Sequence, residues 1–177
     1  DTAAHDALAR LPAYMRDVVQ RSEAVENWAE RYRYMESFAV IGRGYNYATA
    51  FEISLKVKEL CYISGEGYSE ADFRHGPIAV IGNGFPVMLV APSGKTLATV
   101  NDLADKLDEK QAEKLIISDD DALLAKATKA MPIPSIPEWL SPIVAVVPGQ
   151  FFAMHQALVR GYAVDMPRGL TKVTITQ

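Results

Sequence analysis

Short apolar runs punctuated by glycine and proline alternate along this chain with stretches of helical periodicity. The run Phe38-Ala39-Val40-Ile41, stopped by Gly42, predicts a buried strand, and Pro86 to Ala91 (PVMLVA) and Lys114 to Ser118 (KLIIS) predict two more. After Gly42-Arg43-Gly44 the pattern predicts a helix from about Asn46 to Ile63, and after Pro92-Ser93-Gly94 another reaching Gln111. A last helix is predicted from Pro142 to Arg160, with Gly161 as its stop. Residues 1–36 read as a helical lead-in, in which Pro12 separates a short helix from a longer one. Within it Val18, Val25, Trp28 and Tyr32 recur at seven-, three- and four-residue spacings, so one face packs. Met131 to Pro137 is expected as an edge strand or extended loop, because proline cannot serve a central ladder. This alternation of strand, turn and helix predicts a doubly wound α/β fold, a three-layer α-β-α sandwich on a mainly parallel sheet over residues 37–160. Residues 161–177 form a separate tail.

Composition narrows the partners. At 177 residues the chain suits one α/β domain, and 49% hydrophobic with 23% charged residues is ordinary globular usage. A net charge of -4 argues against nucleic acid as the main partner, although a phosphorylated small molecule needs only a local positive field. The single cysteine, Cys61, excludes an intrachain disulfide and any cysteine-rich metal site. The N-terminus lacks a basic-then-apolar signal pattern, and no uninterrupted apolar run approaches the ~18–20 residues of a membrane span. A cytoplasmic protein without a membrane partner is expected.

Three distant segments carry ionisable groups of interest. In the helix predicted after Asn46, Glu52, Lys56 and Glu59 fall on one narrow stripe at 100° per residue. Ile53, Val57 and Leu60 flank it on one side; Phe51, Leu55 and Tyr62 flank it on the other. A stripe this thin fits a cleft or interface, and equally an ion-paired helix surface. His75 lies in Phe73-Arg74-His75-Gly76-Pro77, where Gly-Pro breaks regular structure and can aim an imidazole at a ligand. His5 sits near a terminus, and His155 and Cys61 read as core or interface residues.

Nucleotide motifs fail residue by residue. G-x-G-x-x-G would need glycine where Tyr47 stands, and a P-loop ending at Ser93-Gly94-Lys95-Thr96 would need one at Leu89. Each turn reads as an ordinary glycine turn or as a place to hold an anion on free backbone N–H groups, and on the second reading Gly42, Gly44, Ser93 and Thr96 are candidate substrate-binding positions. No metal-binding motif is present, and no cofactor is expected. In the tail, Asp165, Arg168 and Lys172 lie among turn formers; a frayed end is one reading, and the alternation Val173-Thr174-Ile175-Thr176 supports the other, a docking strand that would fix Lys172. A lysine so held can have its pKa lowered enough to attack a carbonyl.

The segments FAVIGRG, AFEISLKVKEL, YSEADFRHGPIAVI, PVMLVAP and VDMPRGLTKVT together resemble the second sugar-isomerase (SIS) domain of the glucosamine-6-phosphate synthases and their tandem-SIS relatives. That resemblance spans most of the chain and implies a flavodoxin-like SIS fold. It implies that Glu59 moves a proton between C1 and C2 of a sugar phosphate such as fructose 6-phosphate. His75, supplied by the neighbouring subunit of a homodimer, would open the ring, and Lys172 would form an imine with the open-chain ketose. Lys56, Arg168 and Thr171 would bind substrate. The implied reaction is isomerisation coupled to gain or loss of an amino group. A sugar-phosphate-binding regulatory domain and half of a fructosamine-phosphate deglycase are the alternatives. No glutaminase with a cysteine nucleophile and no serine-rich phosphate cradle is recognisable in the sequence, so the resemblance implies an upstream SIS copy or pairing to complete the site, and a separate source of ammonia. The Arg74-His75-Gly76-Pro77 wording leans towards the tandem-SIS relatives, which include ketose-phosphate aminotransferase/isomerases, amino-sugar phosphate deaminases and fructosamine-phosphate deglycases.

Overall fold

The computed structural model describes residues 2–170. Five parallel strands form one sheet: β1 (Ser37–Gly42), β2 (Ser64–Ser69), β3 (Pro86–Val90), β4 (Glu113–Ser118) and β5 (Lys129–Pro132), in the order β2-β1-β3-β4-β5. Six helices accompany them: α1 (Thr2–Ser22), α2 (Asn46–Cys61), α3 (Glu70–Arg74), α4 (Leu97–Glu109), α5 (Asp121–Leu124) and α6 (Ser141–Val159). Alternation within the strands makes the three layers. Phe38, Val40, Met88, Val90, Leu115, Ile117 and Met131 face one core, with residues of α1, α2 and α6. Ala39, Ile41, Val87, Leu89 and Ile116 face the other, with Phe73 of α3, Leu123 of α5 and Val100, Leu103 and Leu107 of α4. The flavodoxin-like order reverses direction between β1 and β3, which opens a crevice at their carboxyl ends.

Four findings depart from the sequence expectations. First, β2 was not anticipated: Ser-Gly-Glu-Gly-Tyr-Ser carries almost no strand signal. Its glycines are there because α2 lies directly on them. A Cβ at Gly67 would stand 3.0 Å from the Cα of Phe51, and one at Gly65 3.4 Å from the Ser54 carbonyl oxygen. Second, Pro12 lies inside a continuous α1 rather than between two helices. Pro12 and Leu8 are both exposed, so the carbonyl released by the missing N–H is on the solvent side. Third, the rest of the lead-in is two 3₁₀ turns, Glu23–Asn27 and Ala29–Tyr32. These bring Trp28 and Tyr32 onto Phe152 at ring separations of 5.9 and 6.0 Å, with Phe38 beneath at 5.4 Å. Fourth, the segment Glu138–Val159 is long and apolar enough to cross a membrane by length and composition, yet half of it is buried inside the domain, where α6 packs on α1 and α2 as a core helix.

The α2–α6 contact fixes the helix that carries Glu59. At Gly149 the helices come so close that a Cβ would lie 2.4 Å from the Cδ1 of Ile53. At their N-terminal ends, buried Asn46 donates to the Ser141 hydroxyl over 2.8 Å, and that hydroxyl donates to the Glu138 carbonyl over 2.7 Å. These bonds pair the buried polar side chains of Asn46 and Ser141 across the two helices, which fixes the register of the crossing.

Candidate functional site

Every parallel strand runs from an amino edge to a carboxyl edge, and α2 descends from the second back to the first. Asn46 is therefore at the carboxyl edge, and Glu59 lies about 20 Å down the helix axis, near the amino edge. There the ammonium of Lys56 donates to the Glu59 carboxylate at 2.7 Å and approaches that of Glu52 at 3.6 Å. The Lys56 and Glu59 side chains retain 31% and 28% of their exposure, so both are reachable yet screened on one flank. That flank is the buried pair Ile53 and Val57; on the other, Phe51 and Leu55 are exposed. Hydrogen bonding to Glu59 raises the pKa of Lys56, which keeps its ammonium charged through the neutral range. A fixed cation against a carboxylate on a rigid helix can hold an anionic sugar intermediate or orient the base beside it.

The tail reaches this same end of α2. Helix α6 closes in a Schellman turn: the Gly161 N–H donates to the Leu158 carbonyl and the Tyr162 N–H to that of Ala157, each over 2.9 Å, with Gly161 at a φ of +74°. The chain then returns over the core with Tyr162 and Val164 packed against it. Arg168 comes to rest with its guanidinium carbon 3.7 Å from the ring centre of Tyr62, and its N–H donates to the Tyr62 hydroxyl over 2.7 Å. Tyr62 is three residues beyond Glu59. Sequence reading gave Tyr62 only as a flank of the charged stripe; its part in holding Arg168 leaves no mark in spacing. Thr171 and Lys172, and the strand expected over Val173 and Ile175, lie outside the described residues.

His75 belongs to a different layer. It caps α3, whose Phe73 is buried in the core opposite α2, and edge strand β2 separates the two layers. His75 is exposed, and no hydrogen bond or ion pair joins it to Glu59 among the described residues. Beside this edge, Ser64, Glu66 and Tyr68 of β2 line a groove of about 280 Å³ with Val80 and Phe85.

The anion-holding positions are not gathered with Glu59 either. Gly42 and Gly44 shape the turn at the carboxyl edge: a Cβ at Gly42 would fall 2.0 Å from the Asn46 carbonyl oxygen, and Gly44 has a φ of +58°. Ser93 and Thr96 sit on the facing turn across the switch point. That turn is already occupied by the chain's own carboxylates. The Ser93 N–H donates to Asp119 at 2.6 Å and the Lys95 N–H to Glu138 at 3.1 Å. Glu138 lies so close that a Cβ on Gly94 would be 2.4 Å from its carboxyl carbon. The nearby Arg43 is also committed, to Glu70 at 2.8 Å; Glu70 in turn pairs with Arg74, which reaches Asp102 at 2.8 Å. Among the described residues, no group of three or more His, Cys, Asp or Glu side chains is placed to hold a metal ion.

Cys61 is core, as expected: its thiol donates to the Ala153 carbonyl at 3.2 Å, and burial pushes its pKa up to about 12.

Residues 35–160 match the model of the SIS domain. The chain belongs to the SIS domain family. A curated relative, the isomerizing glutamine–fructose-6-phosphate aminotransferase of Thermococcus kodakarensis, is 36% identical over 94% of this chain, which spans 28% of that relative's length. Among solved structures, the C-terminal domain of glucosamine-fructose-6-phosphate aminotransferase from Francisella tularensis superposes with a TM-score of 0.84 at 22% identity, covering 91% of this chain and 46% of that one. A glucosamine-6-phosphate deaminase from Thermotoga maritima gives 0.70 at 22% identity, over 97% and 49%. The structural likenesses bear on the fold, which is the three-layer sandwich expected from the strand and turn pattern. This SIS domain thus accounts for about half of those solved chains, and for a smaller part of the curated relative.

Proposed function

We propose that this SIS domain contributes the proton-transfer half of a phosphosugar isomerase or aminotransferase site acting on a ketose or amino-sugar phosphate of the fructose 6-phosphate and glucosamine 6-phosphate class. Glu59 is the general base that moves a proton between C1 and C2, the two carbons between which the carbonyl migrates. Lys56 stays protonated beside it and stabilises negative charge as the enediol forms. Lys172 is the amine that forms an imine with the open-chain ketose, and Arg168 and Thr171 hold substrate or tail. His75 opens the sugar ring, and because it lies in the other layer from Glu59 it serves the site of a second copy in a homodimer. The phosphate is held by groups outside this domain, in an upstream SIS copy or a partner, because the turn at Ser93 to Thr96 spends its amides on Asp119 and Glu138.

One observation carries the reading: the Lys56–Glu59 pair and the anchored Arg168 meet at one end of α2. The 36% identity to an isomerizing aminotransferase supports the same reaction class. Borohydride reduction of the full-length protein with fructose 6-phosphate, followed by peptide mass spectrometry, tests it. A hexitol-phosphate adduct on Lys172 is expected. Saturable binding without any adduct would instead mark a regulatory sugar-phosphate domain.

A further inference from the structure

Helix α2 ends on an unusual residue. Tyr62 occupies the left-handed position after Cys61, with φ +58° and ψ +32°, and its N–H closes the helix on the Lys58 carbonyl. Glycine or asparagine takes that conformation with less strain; a bulky side chain there costs about 1 kcal/mol or more. The strained backbone turns the Tyr62 ring towards the tail. Its ring meets Tyr162 edge-on at 5.0 Å, and the Arg168 guanidinium lies over both, 3.7 Å from the Tyr62 centroid and 5.5 Å from that of Tyr162. The Tyr62 hydroxyl also accepts from the Arg168 backbone N–H at 2.7 Å. Two aromatic rings and one hydrogen bond thus grip a tail that otherwise has few partners: Met166 is 78% exposed and Leu170 is 49% exposed.

We infer that Tyr62 and Tyr162 form an aromatic anchor for the C-terminal tail, and that Tyr62 is a positioning residue which fixes the tail against the end of α2 carrying Glu59. Its catalytic consequence rests on the function proposed above. Four peptide units join Arg168 to Lys172, so wherever Arg168 is gripped, the Cα of Lys172 is tethered within about 14 Å of it. Loosening the grip enlarges the volume searched by the Lys172 amine and slows imine formation, while groups that bind the sugar phosphate elsewhere are untouched.

The test uses the full-length protein with Tyr62→Asn, which tolerates the left-handed backbone, and Tyr62→Phe, which keeps the ring but loses the acceptor. Amide hydrogen exchange at Arg168 reads the anchor directly, and the rate of borohydride-trapped adduct with fructose 6-phosphate reads its consequence. For Tyr62→Asn, Arg168 protection should fall about tenfold, the combined effect of one cation–π contact and one hydrogen bond. Its thermal midpoint should hold. The trapping rate at saturating sugar phosphate should fall by a similar factor, and Tyr62→Phe should restore most of it. An unprotected Arg168 amide in the wild type would overturn the anchor. Lost protection with an unchanged trapping rate would overturn the positioning role. Protection that is present and Tyr62-dependent in a wild type forming no adduct would uphold the anchor and overturn the proposed reaction.

Discussion

Gly149→Ala is the most informative single-methyl change in this domain, because it acts on the contact that sets the position of α2. The added Cβ would lie 2.4 Å from both Cδ1 and Cγ1 of Ile53 and 2.9 Å from Cγ2. Three overlaps with one side chain cannot be relieved by a small rotation, and Ile53 has no exposure into which it can swing. Either α6 or α2 must therefore move, at about 1–3 kcal/mol for an overpacked core. Ile53→Ala removes all three clashing atoms and by itself costs about 2–5 kcal/mol as a cavity. In the double variant the new methyl enters the space left by Ile53, so the loss should be smaller than the sum of the singles by about 1–3 kcal/mol. Urea unfolding of the four proteins, followed by circular dichroism with a common m-value, measures that coupling. Additivity within about 0.5 kcal/mol would refute the claim that Gly149 is required by Ile53.

Other expectations follow from particular contacts. Glu138→Ala should free the Lys95 amide, so that inorganic phosphate shifts the Ser93 and Lys95 amide resonances in the variant and leaves them still in the wild type. The thiol of Cys61 should resist iodoacetamide at pH 8 in the folded protein and react promptly once unfolded. Because burial raises that pKa to about 12, the folded chain keeps a proton that the unfolded chain releases, so this group's contribution to stability is full below about pH 8.5 and declines from there towards about pH 12 in chemical denaturation. Asp108→Asn should destabilise the domain by about 1–2 kcal/mol in urea melts, because the Lys114 ammonium, 2% exposed, loses its partner at 2.5 Å; the exposure of Asp108 keeps the loss below that of a fully buried pair. Lys114→Met should lose less than Asp108→Asn, since it removes the buried charge as well.

Much of the fold was legible because its central strands are apolar on both faces and end on glycine or a turn: β1, β3 and β4 stand where the runs FAVI, PVMLVA and KLIIS predicted them. The edge strand β5, Lys129–Pro132, overlaps only the start of the proline-rich stretch expected from Met131, and its proline stands at the strand's end on the sheet edge. What was hidden depends on neighbours distant in sequence. The glycines of β2 make sense only with α2 lying on them, and Pro12 is tolerated only because α1 turns that face to water. The site was legible in the same uneven way. Helical periodicity alone put Glu52, Lys56 and Glu59 on one stripe, and the structure joins them into one ion-paired row. Periodicity said nothing of which edge of the sheet that row would reach, so the glycine and serine turns appeared as companions when they lie at the opposite edge. Carboxylates sitting on the amides of Ser93 and Lys95 come from Asp119 and Glu138, far along the chain, and could not be read from the turn itself.

Carbon-bound proton exchange tests the central assignment most directly. With fructose 6-phosphate in D₂O, the full-length wild type should wash deuterium into the sugar at C1, followed by proton NMR. Glu59→Gln should slow that exchange at least about a hundredfold, within the range of a lost general base, while sugar-phosphate binding persists. Exchange within a few-fold of wild type in Glu59→Gln would contradict the account.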